Sequence, residues 1–174
     1  VGDTIYVTGS LGNTRSGNIR PDRDVVYAVA VTGTGADAEL SFIAATRGVR
    51  DGLVAWDAAD GHGLGADFFG FERATQDGYS AEGPDSLNVE GLAMDPDGNL
   101  WLGFRSPVVR GSAVMIPIVN IDRLDEDDYA PEFGDPALLD LDGRAIRDLV
   151  NTGDGNLLIM AGSADDVMVM YAGR

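Results

Sequence analysis

A chain of 174 residues with 44% hydrophobic content can bury one sizeable core, and with no Cys it has neither disulfides nor thiolate metal sites, which leaves its compartment open. Twelve Arg and no Lys stand against 29 acidic residues, and the net charge of −17 repels nucleic acid and anionic lipid while favouring solubility and cations. No apolar run approaches the roughly eighteen residues of a membrane-spanning helix, and no targeting segment is visible.

In chain order, short β-branched and aromatic runs bounded by Gly, Asp and Asn predict strands at Thr4–Thr8, Val25–Val31 and Glu39–Ala44. Residues 46–88 form a long insertion, in which Val49–Ala59 reads as a short helix with Leu53, Val54 and Trp56 on its apolar side. Gly61-His62-Gly63-Leu64-Gly65 breaks that helix, and Asp67-Phe68-Phe69-Gly70-Phe71 reads as a further strand or an apolar latch. An insertion of this length inside a compact domain is expected to be a lid or binding loop. Strands then follow at Gly91–Met94, Asn99–Phe104, Ala113–Val119, Ala137–Leu141, Ile146–Val150, Asn156–Met160 and Val167–Tyr171. Val25–Val31 and Ala113–Val119 are apolar throughout, as strands buried on both faces would be, and Pro117 suggests a bulge in the second of them.

Two segments repeat. Val89-Glu90-Gly91-Leu92 runs through Asp97-Gly98 into Asn99-Leu100, and Ile146-Arg147-Asp148-Leu149 runs through Asp154-Gly155 into Asn156-Leu157. Aligned on Asp97 and Asp154, Val89 falls on Ile146, Glu90 on Arg147 and Leu92 on Leu149. Asp3–Gly9 matches the second strand of this unit and has no first strand before it. The strands therefore group as the last three of one unit, a complete four-strand unit, and the first three of another. Units of four antiparallel strands at this period predict an all-β fold, a partial β-propeller of about three blades over residues 1–174. A β-sandwich is the main competitor, but it has no reason to repeat these elements. Three blades cannot close a ring, so missing N-terminal blades or a second chain is needed, and a chain that opens on Val inside its own repeat reads as a fragment.

In a propeller the first strand of each blade lines the central channel. Glu90 and Arg147 would then stand side by side at the channel mouth with opposite charge, either as an inter-blade ion pair or as working groups. As working groups, Glu90 would be a metal ligand or general base and Arg147 an anion clamp. Arg105, at the end of an apolar strand in Gly103-Phe104-Arg105-Ser106-Pro107, could fork onto a carboxylate or phosphate, or pair with the abundant acids. Asp148 alternates to the other strand face and should do a different job from Arg147. Asp95-Pro96-Asp97-Gly98-Asn99 lacks the closing Glu of a calcium loop and reads as a turn, and Asp122–Asp128 reads as a solvated acidic loop that could hold calcium weakly. His62, the only histidine, is flanked by Gly and is expected to be exposed and idle. There is no Gly-x-Ser-x-Gly elbow, paired-His zinc motif or phosphate loop, which argues against a serine hydrolase or zinc enzyme within this chain.

Leu87-Asn88-Val89-Glu90-Gly91-Leu92-Ala93, Gly103–Pro107, Asn120 and Gly143-Arg144-Ala145-Ile146-Arg147-Asp148-Leu149 together resemble the DUF3616 family, a bacterial domain of unknown function similar to phytase-like and esterase-like propellers. The resemblance implies the C-terminal part of a propeller, with Glu90, Arg105 and Arg147 at the family's motif positions. Leu11, after Val7-Thr8-Gly9-Ser10, departs from the pattern by standing where a His would be.

Two functions compete. In the first, Glu90 helps to hold calcium or another divalent cation in a hydrolase of phosphoesters, esters or lactones, and Arg105 and Arg147 neutralise the substrate. In the second, the propeller is a non-catalytic module that binds a small anionic molecule or a protein ligand.

Overall fold

The computed structural model describes residues 4–162 and 168–173. Three strands, β1 (Thr4–Thr8), β2 (Val26–Thr32) and β3 (Glu39–Thr46), precede two helices, α1 (Val49–Ala58) and α2 (Phe71–Ala74). Seven strands follow: β4 (Asn88–Met94), β5 (Leu100–Val109), β6 (Ser112–Ile118), β7 (Ala137–Leu139), β8 (Ala145–Asn151), β9 (Leu157–Gly162) and β10 (Met168–Gly173). Val1–Asp3 and the expected strand start at Val167 lie outside the described residues.

The strands form three antiparallel sheets, β1-β2-β3, β4-β5-β6-β7 and β8-β9-β10, and no sheet closes on itself. This mostly-β architecture has the three-four-three grouping that the repeat predicts. The Asp-Gly turns work as expected, with Gly98 and Gly155 at φ 88° and 86° where a side chain would be strained.

The middle sheet is covered on both faces. Leu92, Leu102 and Ile116 pair across one face, with Met94, Leu100 and Ile118 as the next row. That face joins Val26 and Ala28 of β2 and Leu53 of α1 in the larger core. The opposite face, with Ala93, Trp101 and Met115, meets Ile146, Leu149, Ile159 and Ala161 of the third sheet. Gly91 and Gly103 face each other there, and side chains would not fit. A Cβ on Gly91 would stand 2.7 Å from Leu149 Cγ, and one on Gly103 2.7 Å from Ile146 Cγ2. The glycine of the Glu-Gly-Leu motif is thus a packing requirement set by the next sheet.

Four expectations change. Residues 46–88 are not a lid: Val49, Leu53 and Phe71 are fully buried, and the rings of Phe69, Phe71 and Phe104 stack in series at 5.4 and 5.6 Å. Apolar burial on this scale ties the insertion into the core. Asp67–Phe71 is not a strand but a turn leading into α2, and its phenylalanines serve as the latch. Pro117 causes no bulge: it pairs in register with Trp101, and the irregularity lies opposite, where Phe104–Pro107 arch between Gly103 and Val108.

His62 is not exposed either. Its side chain is fully buried, as is that of Asp57. The Leu64 amide donates to Nδ1 at 3.1 Å, so the ring proton sits on Nε2 and is donated to Asp57 Oδ1 at 3.0 Å. The same carboxylate accepts from the Phe69 and Phe71 amides at 3.1 and 3.2 Å. The couple therefore fixes the turn that aims the phenylalanines inward.

Candidate functional site

In a regular strand, residues three apart point to opposite faces. Val89 and Leu92 nevertheless share one core, and Ile146 and Leu149 share the other. An extra residue in each strand reconciles this. In β4 the pairing passes from Val89↔Phe104 to Gly91↔Gly103 and leaves Glu90 unmatched. In β8 it passes from Ile146↔Ala161 to Asp148↔Met160 and leaves Arg147 unmatched. In β5, Ser106 pairs with Asn88 and Phe104 with Val89, so Arg105 is the residue left over. All three candidate residues occupy β-bulges, which re-aim a side chain out of the pleat.

The bulges bring these side chains together. Arg147 Nη1 donates to Glu90 Oε2 at 3.3 Å, and Arg105 Nε lies 3.6 Å from Glu90 Oε1. Arg105 Nη2 is 3.9 Å from Glu82 Oε2, which also accepts from Arg15 Nη2 at 3.2 Å. The result is a ladder of alternating charge, Arg15–Glu82–Arg105–Glu90–Arg147. The hydrogen bond and charge of Arg15, and then more weakly Arg105 and Arg147, hold the Glu82 carboxyl below its ordinary range.

Arg105 and Arg147 open into a cavity of about 370 Å³, walled by Glu82, Ser106, Val108 and Ala145. Gly162 lets Arg147 lie flat across β9, since a Cβ there would stand 2.9 Å from its Nε. A larger hollow of about 570 Å³ beside α1 sets Asp24, Asp51 and Glu72 beside Arg20 and Arg50. Its buried Arg50 is already tied to Leu11 O, Asn13 Oδ1 and Thr75 O.

Sequence reasoning found Glu90, Arg105 and Arg147 but missed Glu82, which sits in a loop with no motif. The other motif residues have structural duties. Asn120 binds Ala130 O and the Glu132 amide, pinning the 120–132 loop. Leu11 is fully buried at φ 57°, so the position where the resemblance would place a His holds an apolar core residue. Asp148 lies outside the cleft and caps its neighbour's amide at 2.8 Å.

The side chains at Glu90 do not fit a divalent cation. Both carboxylate oxygens face guanidinium groups, and no group of three or more His, Asp or Glu suited to a metal occurs among the described residues. Asp95 is a turn residue as expected. It accepts from the Asp97 and Asn99 amides, Asn99 Nδ2 and Trp101 Nε1, all at 2.8–3.0 Å. Burial pushes its carboxyl up, but these bonds outweigh burial and hold it below the ordinary value. Within the acidic run, Glu126 is forked by Arg123 at 2.7–3.1 Å.

Nor do the described residues of the cleft pair a nucleophile with a base. Ser106 and Ser86 hydroxyls lie 2.6 Å apart, and Ser86 also lies within donating distance of the Ala81 and Gly83 carbonyls. Ser86 gives its one proton to a carbonyl, so Ser106 donates to Ser86. The sole imidazole is committed to Asp57. What the cleft offers is guanidinium donors beside a neutral hydroxyl, an arrangement that binds and orients anions.

No helix among the described residues is long and apolar enough to cross a membrane. No curated protein and no solved structure matches the chain. Residues 82–170, just over half of the chain, match the family model described as protein of unknown function (DUF3616). That span contains Glu82, all three bulge residues and every strand of the middle sheet, and the chain belongs to that family.

Proposed function

We propose that the chain is part of a β-propeller whose Arg105–Arg147 cleft binds a small anionic molecule without turning it over. The blade assignment is supported by the repeat, the three-four-three strand grouping and successive sheets packed face to face. The phytase-like and esterase-like resemblance bears on the fold. Metal-assisted hydrolysis would require Glu90 to face a cation, and here it faces two guanidinium groups.

One observation carries the binding reading: bulges on two strands deliver Arg105 and Arg147 to one cleft, and a third places Glu90 between the two guanidinium groups. An ion-pair ladder kept for stability would gain little. The two pairs made by Glu90 are partly exposed and contribute about 0–1 kcal/mol each. Contacts that weak can be exchanged for a ligand carboxylate or phosphate at small cost.

Calorimetric titration with citrate and with inorganic phosphate tests this. At least one should bind saturably, more weakly as salt rises, and Arg105→Ala and Arg147→Ala should each abolish the signal. Turnover of p-nitrophenyl phosphate should be absent with and without added calcium. Failure of both anions to bind, or binding that survives both substitutions, would overturn the assignment.

A further inference from the structure

Three asparagines are buried among the described residues, and two of them are fully used. Asn13 donates to the Gln76 and Tyr79 carbonyls and accepts from Arg50, and Asn120 donates to Ala130 O and accepts from the Glu132 amide. Asn88 is the exception. The residue is only 8% exposed, yet its Oδ1 is buried and meets no donor. A buried amide carbonyl in that state costs stability and is rare in native folds, so its place in the structure calls for a cause.

Asn88 pairs directly with Ser106 across β4 and β5, and paired residues share a face of the sheet. The next pair, Val89 and Phe104, turns into the larger core. Asn88 therefore turns to the opposite face, and the Arg105 bulge brings Ser106 to the same side. Ser106 stands in the wall of the Arg105–Arg147 cleft, whose lining comes from the second sheet, the third sheet with the turn before it, and the 82–84 loop, all within the described chain. The Ser106 hydroxyl gives its proton to Ser86, so it has accepting capacity only. Two neutral oxygens able to accept, Asn88 Oδ1 and Ser106 Oγ, thus share the face that carries two guanidinium groups able only to donate.

We propose that Asn88 and Ser106 determine the specificity of this cleft and select an anion that carries an O–H beside its charged oxygens, as hydrogen phosphate and α-hydroxy acids do. The selectivity rests on the cleft being the anion site proposed above. Arg105 and Arg147 donate to the charged oxygens, and the ligand O–H donates to Asn88 Oδ1 or Ser106 Oγ. The terminal torsion of an asparagine is broad, so the amide follows the ligand at small cost. An anion of the same shape without the proton leaves both oxygens unpaired and sets its own lone pairs against theirs. A site built to bond a hydroxyl rejects the analogue lacking it for this reason.

Calorimetric titration of the intact chain with two matched pairs of anions tests this. At about pH 8 phosphate and sulfate are both dianions and only phosphate carries a proton. Citrate and tricarballylate differ by one hydroxyl. In at least one pair the O–H-bearing member should bind about tenfold or more tightly than its partner. A preference in the phosphate pair alone identifies hydrogen phosphate as the ligand chemistry, and one in the citrate pair alone a hydroxy acid. Asn88→Leu should remove the preference, keep the weaker Arg-dependent binding, and raise the melting temperature because the orphan carbonyl is gone. Ser86→Ala, outside the cleft wall, frees the Ser106 proton for the ligand, so sulfate or tricarballylate should gain affinity. The wild-type pairs and Ser86→Ala decide the matter even where Asn88→Leu does not fold. Equal affinity within both pairs, still dependent on Arg105 and Arg147, would overturn the selectivity and leave the anion cleft standing. A preference that survives both Asn88→Leu and Ser86→Ala would overturn it as well, and failure of all four anions would remove cleft and selectivity together.

Discussion

Replacing Gly91 by Ala places a methyl group between the second and third sheets, and the structure sets its cost. The new Cβ would stand 2.7 Å from Leu149 Cγ, 3.0 Å from Ile146 Cγ2 and 3.2 Å from Leu149 Cδ1. Carbon atoms pack best at about 3.5–4.0 Å, so the overlap is close to 1 Å against side chains that are themselves buried. Overpacking of this kind costs about 1–3 kcal/mol, and relieving the strand of a glycine returns about 0.5–1 kcal/mol. Gly91→Ala should therefore destabilise by about 1–2 kcal/mol, read as a lower urea midpoint at constant slope. Leu149→Ala alone should cost about 2–5 kcal/mol through the void it leaves. In the double variant the added methyl occupies that void, so the loss should fall short of the sum by at least about 1 kcal/mol. Gly91→Ala at or above wild-type stability, or strict additivity, would refute the close approach of the sheets. It would also remove the basis for Glu90 and Arg147 meeting across that junction.

Other perturbations test separate parts. Gly162→Val should push Arg147 off β9 and weaken the citrate or phosphate titration about tenfold, with little change in melting temperature; unchanged affinity would show that the posture of Arg147 does not matter. Asp57→Ala strands the Phe69 and Phe71 amides and the His62 Nε2–H in a buried site, at about 3–5 kcal/mol and a melting-point loss near 10 °C. A drop of only a degree or two in a thermal scan would mean that water replaces the carboxylate. Burial, then Tyr6 and the acids Asp122 and Glu132, push the Tyr129 hydroxyl up to about 12, and it has no hydrogen-bond partner. With the folded value raised above the unfolded 10.0, its contribution is complete below pH 10 and is lost as pH rises toward 12. Tyr129→Phe should accordingly stabilise by about 1 kcal/mol at pH 7 and flatten the alkaline decline, and a less stable variant at both pH values would contradict this.

Much of this architecture was legible because strand signals are local. Alternation, β-branching and Asp-Gly turns located every sheet, and the repeat set their grouping. The equivalence of Glu90 and Arg147 was also visible, and in the structure they meet at 3.3 Å. Contacts made at a distance were not legible. Glycines around His62 suggested exposure, yet its side chain is buried by Asp57 and Trp56 on α1 and by the Phe68 and Phe69 rings of the turn that follows. Glu82 joins the site only through its distance to Arg105 and Arg15. The bulges are a different case, since their signal lay in the chain unread. Val89 and Leu92 are three apart, as are Ile146 and Leu149, and no regular strand can bury both members of such a pair on one face. A strand that must do so needs an unmatched residue between them. In each copy of the repeat the first residue of the intervening pair, Glu90 or Arg147, takes that place. Apolar spacing therefore selects which side chains leave the sheet, and charge at those positions determines what the cleft can hold.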